Sequence, residues 1–239
     1  MPHYIFGNTM DELFAKTSKI LIEKGHENSP RGLKTLELND VFLELSDPTK
    51  AFPMMPERGA SKEYLDKEMA WYLSGSLWTK DAAACSKFWE KLGDSNETIN
   101  SNYGFICLVE KWNGISQLQW CIHSLRKDPD TRQAVINYSQ PKYKYEGNKD
   151  QICTLNQLFV KRNNKLESIV LMRSNDLIRG LTYDASWFCY LQKKISEETG
   201  ISMGSYKHYA ASLHVYQEHW DMLKAMAATL GKYKGEGTA

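Results

Sequence analysis

Three β-rich runs, AVINY (134–138), QICTLNQLFV (151–160) and KLESIVLM (165–172), succeed one another with polar loops between them. Directly after them, LTYDASWFCYLQKKISEETG (181–200) keeps one apolar face at helical spacing and ends on Gly200. A sheet with one apolar face and a long helix with one apolar stripe bury each other, so this half of the chain predicts a mixed layer of strands and helices. SLHVYQEHW (212–220) adds a further strand. Upstream, TMDELFAKTSKILIEK (9–24), KEYLDKEMAWYLSG (62–75, capped by Ser61), a short stretch at 83–93 and QLQWCIHSLRKDPDTR (117–132, ended by the Asp128-Pro129 step) read as helices. GHENSPRGLKTLEL (25–38) reads as an exposed loop carrying Arg31 and entering a strand, and GDSNETINSNYG (93–104) is turn chemistry. No repeat or linker divides the sequence. The expected class is α+β, one domain over residues 1–239 whose last residues, GKYKGEGTA (231–239), form a mobile polar tail.

The 239 residues suffice for one substantial core, and 30 Lys plus Arg against 29 Asp plus Glu leave no overall positive field of the kind that holds nucleic acid. Any anion site must therefore be local, and no nucleic acid is required as a partner. Five cysteines, at 85, 107, 121, 153 and 189, are odd in number and never spaced C-x-x-C, which argues against a disulfide framework and against a zinc site, so no metal is expected. A reducing cytoplasm is the expected compartment. The N-terminus lacks a basic start and an apolar run, and no stretch approaches the roughly 20 apolar residues of a membrane helix.

Chemistry is harder to read locally. Cys153, inside an apolar β-rich run, is as well explained as a small buried hydrophobe. Arg173-Ser174-Asn175-Asp176 interrupts the strand-like IVLM with four polar residues, which suits an anion held by guanidinium and hydroxyl. An arginine beside a thiol would also favour the thiolate, although Arg173 alone fits a structural ion pair equally well. His214 and Tyr216 alternate with Val215 and so share one strand face, a pattern that any half-buried polar face would give. Glu68, taken alone, reads more simply as a surface carboxylate than as a buried acid, and Asp128, Asp130 and Arg132 fit an ordinary turn.

The order of these signals adds what none supplies singly. KEMAWYLSGS around Glu68, NSNYG ending at Gly104, DPDTR ending at Arg132, ICTLNQ around Cys153, MRSND (172–176), GLTYDASW (180–187) and SLHVY (212–216) together resemble the thymidylate synthases and, more closely, the bacteriophage deoxycytidylate hydroxymethylases of the same fold. The resemblance spans roughly residues 10 to 225. It implies a mixed sheet packed with helices and a two-fold homodimer formed through that sheet. It makes Cys153 the nucleophile toward C6 of a pyrimidine nucleoside monophosphate, Arg173 and Ser174 phosphate ligands, and Arg132 an arginine reaching into the partner's site. By the same correspondence Glu68 organises proton transfers, with Tyr103 in its network, and His214 and Tyr216 bind the sugar 3′-hydroxyl. Trp89, Asp176 and Gly180 would lie against the cofactor, 5,10-methylenetetrahydrofolate.

Asp184 stands where the synthases carry an Asn that pairs with uracil. An ionised carboxylate only accepts, which welcomes the cytosine amino group and repels the uracil O4, whereas a protonated one imitates Asn. The block INSNYG (99–104) resembles the hydroxymethylase version, and KGEGTA lacks the apolar closing tail of the synthases, so hydration rather than reduction of the added carbon is expected. A methyltransferase, a deoxyuridylate hydroxymethylase, a true synthase and a non-catalytic nucleotide- or RNA-binding homologue remain as alternatives. Three positions depart from the family pattern: Gln133 replaces a second arginine, Leu158 lies where a Gln usually sits, and Pro30 falls where a basic loop residue is expected, with Arg31 as its substitute.

Overall fold

The longest strand of the computed structural model, which describes residues 1–233, is the axis on which everything else is hung. In chain order the strands are β1 (His3–Gly7), β2 (His26–Asn28), β3 (Thr35–Leu45), β4 (Lys111–Trp112), β5 (Ile115–Ser116), β6 (Val135–Asn137), β7 (Thr154–Arg162), β8 (Lys165–Met172), β9 (Asn175–Asp176) and β10 (Met203–Tyr216). The helices are α1 (Met10–Lys24), α2 (Lys62–Ser74), α3 (Thr79–Ala83), α4 (Gln117–Lys127), α5 (Leu181–Thr199) and α6 (Trp220–Ala228). The main sheet runs β1-β3-β10-β8-β7-β6, with β2 on β3 and β9 on β10. β10 is antiparallel to β3 and parallel to β8 and β9, so the sheet is mixed, as expected.

Helix boundaries follow the local chemistry. Thr9 caps α1 by accepting from the Glu12 N–H, and the Glu12 carboxylate accepts from the Asn8 N–H at 2.7 Å. Ser61 caps α2, and Gly75 ends it in the left-handed region at φ 66°, where a side chain would also collide with Val109. Ser116 and Gln119 form a reciprocal capping box on α4.

Helix α5 buries Trp187, Phe188, Leu191 and Ile195 in the same core that receives Val170 and Met172 of β8 and Tyr206 and Ala210 of β10. The other side of the sheet differs. Tyr4, Phe42, Tyr209 and Leu171 are lateral neighbours on four adjacent strands, and Tyr4 is 65% exposed.

Several expectations change. The helix read over 83–93 is instead the last residue of α3, which begins earlier at Thr79, followed by a 3-10 helix, Lys87–Leu92. The strand read over 212–220 ends at Tyr216, begins as early as Met203 and is followed by a 3-10 turn and α6. β1 had no sequence counterpart. The expected tail is ordered through Tyr233, which closes a 3-10 turn begun at Thr229, and its remainder, with the closing-tail reading of KGEGTA, lies in residues 234–239, outside the described residues. Among the described residues no helix is long and apolar enough to cross a membrane.

Candidate active site

The nucleophile candidate sits at a junction. Cys153 is the last residue before β7 rather than a member of it, and it is half-buried. The loop leading to it is tied on two sides. Arg173 donates from Nε to the Ile152 carbonyl at 3.2 Å and from Nη2 to the Gln151 carbonyl at 2.8 Å. On the other side the buried Asp150 carboxylate accepts from the Ser101 N–H and from the Ser101 hydroxyl, both at 2.6 Å. A guanidinium has five N–H groups, so after those two bonds Arg173 keeps donors for an anion. It forms no structural ion pair among the described residues.

The expected thiolate is not the resting state. Burial pushes the Cys153 thiol up, the Arg173 charge pulls it down, Asp184 and Asp150 push it up again, and Arg31 pulls it down. Burial outweighs the arginines, because a buried thiolate near two carboxylates loses more than the two guanidinium groups return.

Glu68 overturns its surface reading. On α2 it is 5% exposed, and burial pushes its carboxyl up to about 8, with the Tyr64 hydrogen bond opposing that rise and the Asp184 charge adding to it. Tyr64 donates to Glu68 Oε1 at 2.7 Å and itself accepts from Trp89 Nε1 at 3.2 Å. A relay Trp89 to Tyr64 to Glu68 therefore links the expected cofactor tryptophan to the expected proton-transfer acid. Tyr64 was missed in the sequence, although its i, i+4 spacing from Glu68 was a signal.

Tyr103, also buried, shares a 2.9 Å hydrogen bond with Thr154 beside Cys153 and stacks on Tyr72. Asp184, in the first turn of α5, feels the same cluster. Burial raises its carboxyl to about 7, the Asn175 amide opposes, and the Asp176 charge adds to the rise. The Nδ2 of Asn175 donates to Asp184 Oδ2 at 2.8 Å. Gly180, the N-cap of α5, sits against that pair. Asp176 turns the chain, its Oδ1 accepting from the N–H groups of Ile178 and Arg179, while its Oδ2 is buried without a partner.

At the rim, the Ser174 hydroxyl and His214 Nδ1 lie 3.4 Å apart, and the His214 and Tyr216 rings meet edge-on at 5.3 Å. Burial lowers the His214 pKa, with the carboxylates of Asp176 and Glu37 opposing. Arg31 occupies a 3-10 turn at φ 56° and its charge reaches both Cys153 and His214. Arg132 is exposed in the turn after α4, and among the described residues it shares no hydrogen bond or ion pair with the residues above.

Leu158 is resolved by a bulge. An extra residue at Leu155 shifts the pairing of β7 with β8, so Gln157 turns inward in place of its neighbour. Its amide is buried, donating to Ser168 at 2.8 Å and to the Phe188 carbonyl at 3.0 Å and accepting from Tyr138.

With this geometry in place, similarity to known proteins is informative. The chain is 30% identical over 224 residues to a deoxycytidylate 5-hydroxymethyltransferase of Enterobacteria phage T4, covering 89% of this chain and 88% of that one. It is 28% identical over 231 residues to a deoxyuridylate hydroxymethyltransferase of Bacillus phage SP01, covering 90% of this chain and 59% of the relative. Among solved structures, a thermostable thymidylate synthase A from Bacillus subtilis superposes with a TM-score of 0.74 at 21% identity, over 92% of this chain and 84% of that one, which is a likeness of fold. Because the thymidylate synthase family model matches residues 12–231, and the solved fold agrees, the chain belongs to the thymidylate synthase family.

Proposed function

We propose that this protein adds a hydroxymethyl group to C5 of deoxycytidine monophosphate, consuming 5,10-methylenetetrahydrofolate and water and releasing tetrahydrofolate. The observation that carries this reading is Asp184: a carboxyl, not a carboxamide, stands at the position that pairs with the base, and it titrates near neutrality. Cytosine offers an amino donor at N4 and an acceptor at N3. A carboxyl that exchanges its proton near pH 7 accepts from N4 and can lend a proton to N3 as C6 is attacked. Cys153 adds at C6, and the negative charge that develops at C5 is what takes up the new carbon.

Binding follows from the rim. Arg173 and Ser174 hold the phosphate, with Arg31 nearby, and His214 with Tyr216 takes the sugar hydroxyl. The orphaned, buried Asp176 Oδ2 fits a donor group of the folate ring, with Gly180 against Asp176, and Trp89 meets the folate from the side of Tyr64. The folate supplies the one-carbon unit. Glu68, protonated at neutral pH yet close to its midpoint, gives and takes the protons needed to bring water onto the new carbon, steadied by Tyr64, with Tyr103 packed in the same cluster. The outward row Tyr4, Phe42, Tyr209 and Leu171 supports dimerisation through the sheet. In such a dimer Arg132, which has no part in its own chain's site, completes the partner's.

A second reading, hydroxymethylation of deoxyuridine monophosphate, is favoured by the readiness of Asp184 to be protonated, since the protonated group imitates a carboxamide. Incubating the purified protein with either nucleotide and the folate, then weighing the nucleotide product, separates the readings. The expected product is deoxycytidylate plus CH2O, with no dihydrofolate absorbance. A gain of CH2 alone would sink hydroxymethylation. The Cys153→Ala protein should bind the nucleotide and lose turnover by at least about a thousandfold.

A further inference from the structure

We propose that Asn175 is a specificity-determining residue: by donating its carboxamide N–H to Oδ2 of Asp184, it keeps that carboxyl an acceptor toward the base and so selects an exocyclic amine over a carbonyl. The inference rests on the reading above, in which Asp184 faces the base.

The contact is built, not incidental. Asn175 is 3% exposed and is pinned on β9, where it pairs with Leu213 of β10. Its Nδ2 lies 2.8 Å from Asp184 Oδ2, across the turn that starts α5. Gly180 leaves the room for this approach, since a Cβ there would stand 2.9 Å from Asn175 Nδ2 and 3.0 Å from Asp184 Oδ2. At the other end of the amide, Oδ1 of Asn175 is buried without a partner. A buried amide that leaves its carbonyl unpaired while aiming its N–H at one carboxylate is positioned for that carboxylate.

The surroundings show why a donor is needed. Facing Asp184 are Asp176 from β9, Glu68 and Tyr72 from α2, Tyr103, Cys153 ahead of β7, and Tyr206 of β10. None of the six brings a positive charge, and each that ionises makes a second negative charge harder to hold. Among the described residues the Asn175 N–H is the one hydrogen bond that the Asp184 side chain accepts. Without it the carboxyl would carry its proton to higher pH and would present a carboxamide-like edge that uracil can also satisfy.

The test compares kcat/KM for deoxycytidylate and deoxyuridylate from about pH 6 to about pH 9 in the wild-type protein and in the Asn175→Ala, Asn175→Leu and Asp184→Asn variants. Leu keeps the branched outline of Asn at a larger volume, Ala leaves the space empty, and both remove the donor. Each should lower the preference for deoxycytidylate about tenfold at pH 7, with the preference returning toward alkaline pH. A merely structural role would reduce both substrates alike and leave the ratio untouched, and an unchanged ratio in the two variants overturns the proposal. In the wild-type protein the side-chain NH2 resonances of Asn175 should move with pH at the midpoint of the ratio change; resonances that stay fixed overturn it as well. The Asp184→Asn variant separates two failures. If it shifts the ratio while the Asn175 variants do not, only this inference falls, and if it leaves the ratio unchanged, the base-reading role of Asp184 falls with it.

Discussion

The mouth of the site and its floor are built on opposite electrostatic plans. At the mouth, Arg31 and Arg173 present guanidinium groups to solvent beside Ser174, His214 and Tyr216. At the floor, Glu68 and Asp184 are acids pushed up to about 8 and about 7 by burial, among the buried rings of Tyr72 and Tyr103. The mouth keeps fixed charge where water pays for it, and so can bind a phosphate at any ordinary pH. The floor gives up charge, which places two carboxyls near neutrality, where the proposed proton transfers need them. On the proposed reading, affinity and chemistry come from the exposed and the buried parts of one site, and substitutions in each part should fail differently.

Of the two regions, the floor should show the larger effect. Glu68→Gln should lower kcat about a hundredfold or more, since a carboxamide cannot exchange a proton. The same change should stabilise the protein at alkaline pH. The folded-state pKa of Glu68, about 8, lies above its ordinary 4.5, so the folded protein binds the extra proton, and the stability this confers is complete below about 4.5 and lost as pH rises through about 8. Gln carries no such penalty. The variant should therefore melt at the same temperature as wild type near pH 4 and be more stable near pH 9, by on the order of a few kcal/mol. Thermal melts across pH would show it. Parallel melting curves at all pH values would mean that the floor does not hold Glu68 protonated.

At the mouth the expected loss is smaller and of another kind. Arg173 uses its planar fork on two carbonyls of the loop that carries Cys153, besides any phosphate, so its geometry matters as well as its charge. Arg173→Lys keeps the charge and loses the fork. It should raise KM for the nucleotide about tenfold and lower kcat, with no displacement of the pH profile. Full activity in the lysine variant would mean that the mouth acts by charge alone.

The two regions were also unequally legible. The mouth is local in sequence: MRSND and SLHVY each place their polar residues within five positions, and α2 and α5 announce themselves through Ser61, Gly75 and Gly200. The floor is assembled from distant parts. Asp150 meets Ser101 across 49 residues, and α2 surrounds Glu68 with so many charged neighbours that the burial of one of them leaves no trace in the pattern. Asn175 reaches Asp184 only because β9 and the turn at Gly180 fold back on themselves. The first half of β10 was hidden for a related reason. Its inward positions are Gly204, Tyr206, His208 and Ala210, a small, polar and aromatic set that shows no apolar alternation.

The smallest expected effect tests what sets the proton affinity of the floor. Tyr64 donates to Glu68 and so favours the ionised form, opposing the burial that raises it. Tyr64→Phe removes that donor and leaves Trp89 Nε1 without its acceptor, while the ring and its edge contact with Tyr183 remain. The limb of the rate profile that belongs to Glu68 should move to higher pH, and the rate at pH 7 should change only a few-fold. Burial is the larger cause, and this substitution leaves it intact. A limb displaced to lower pH would show that Tyr64 holds the protonated acid instead, and a loss as large as that of Glu68→Gln would make the hydroxyl itself a carrier of the proton.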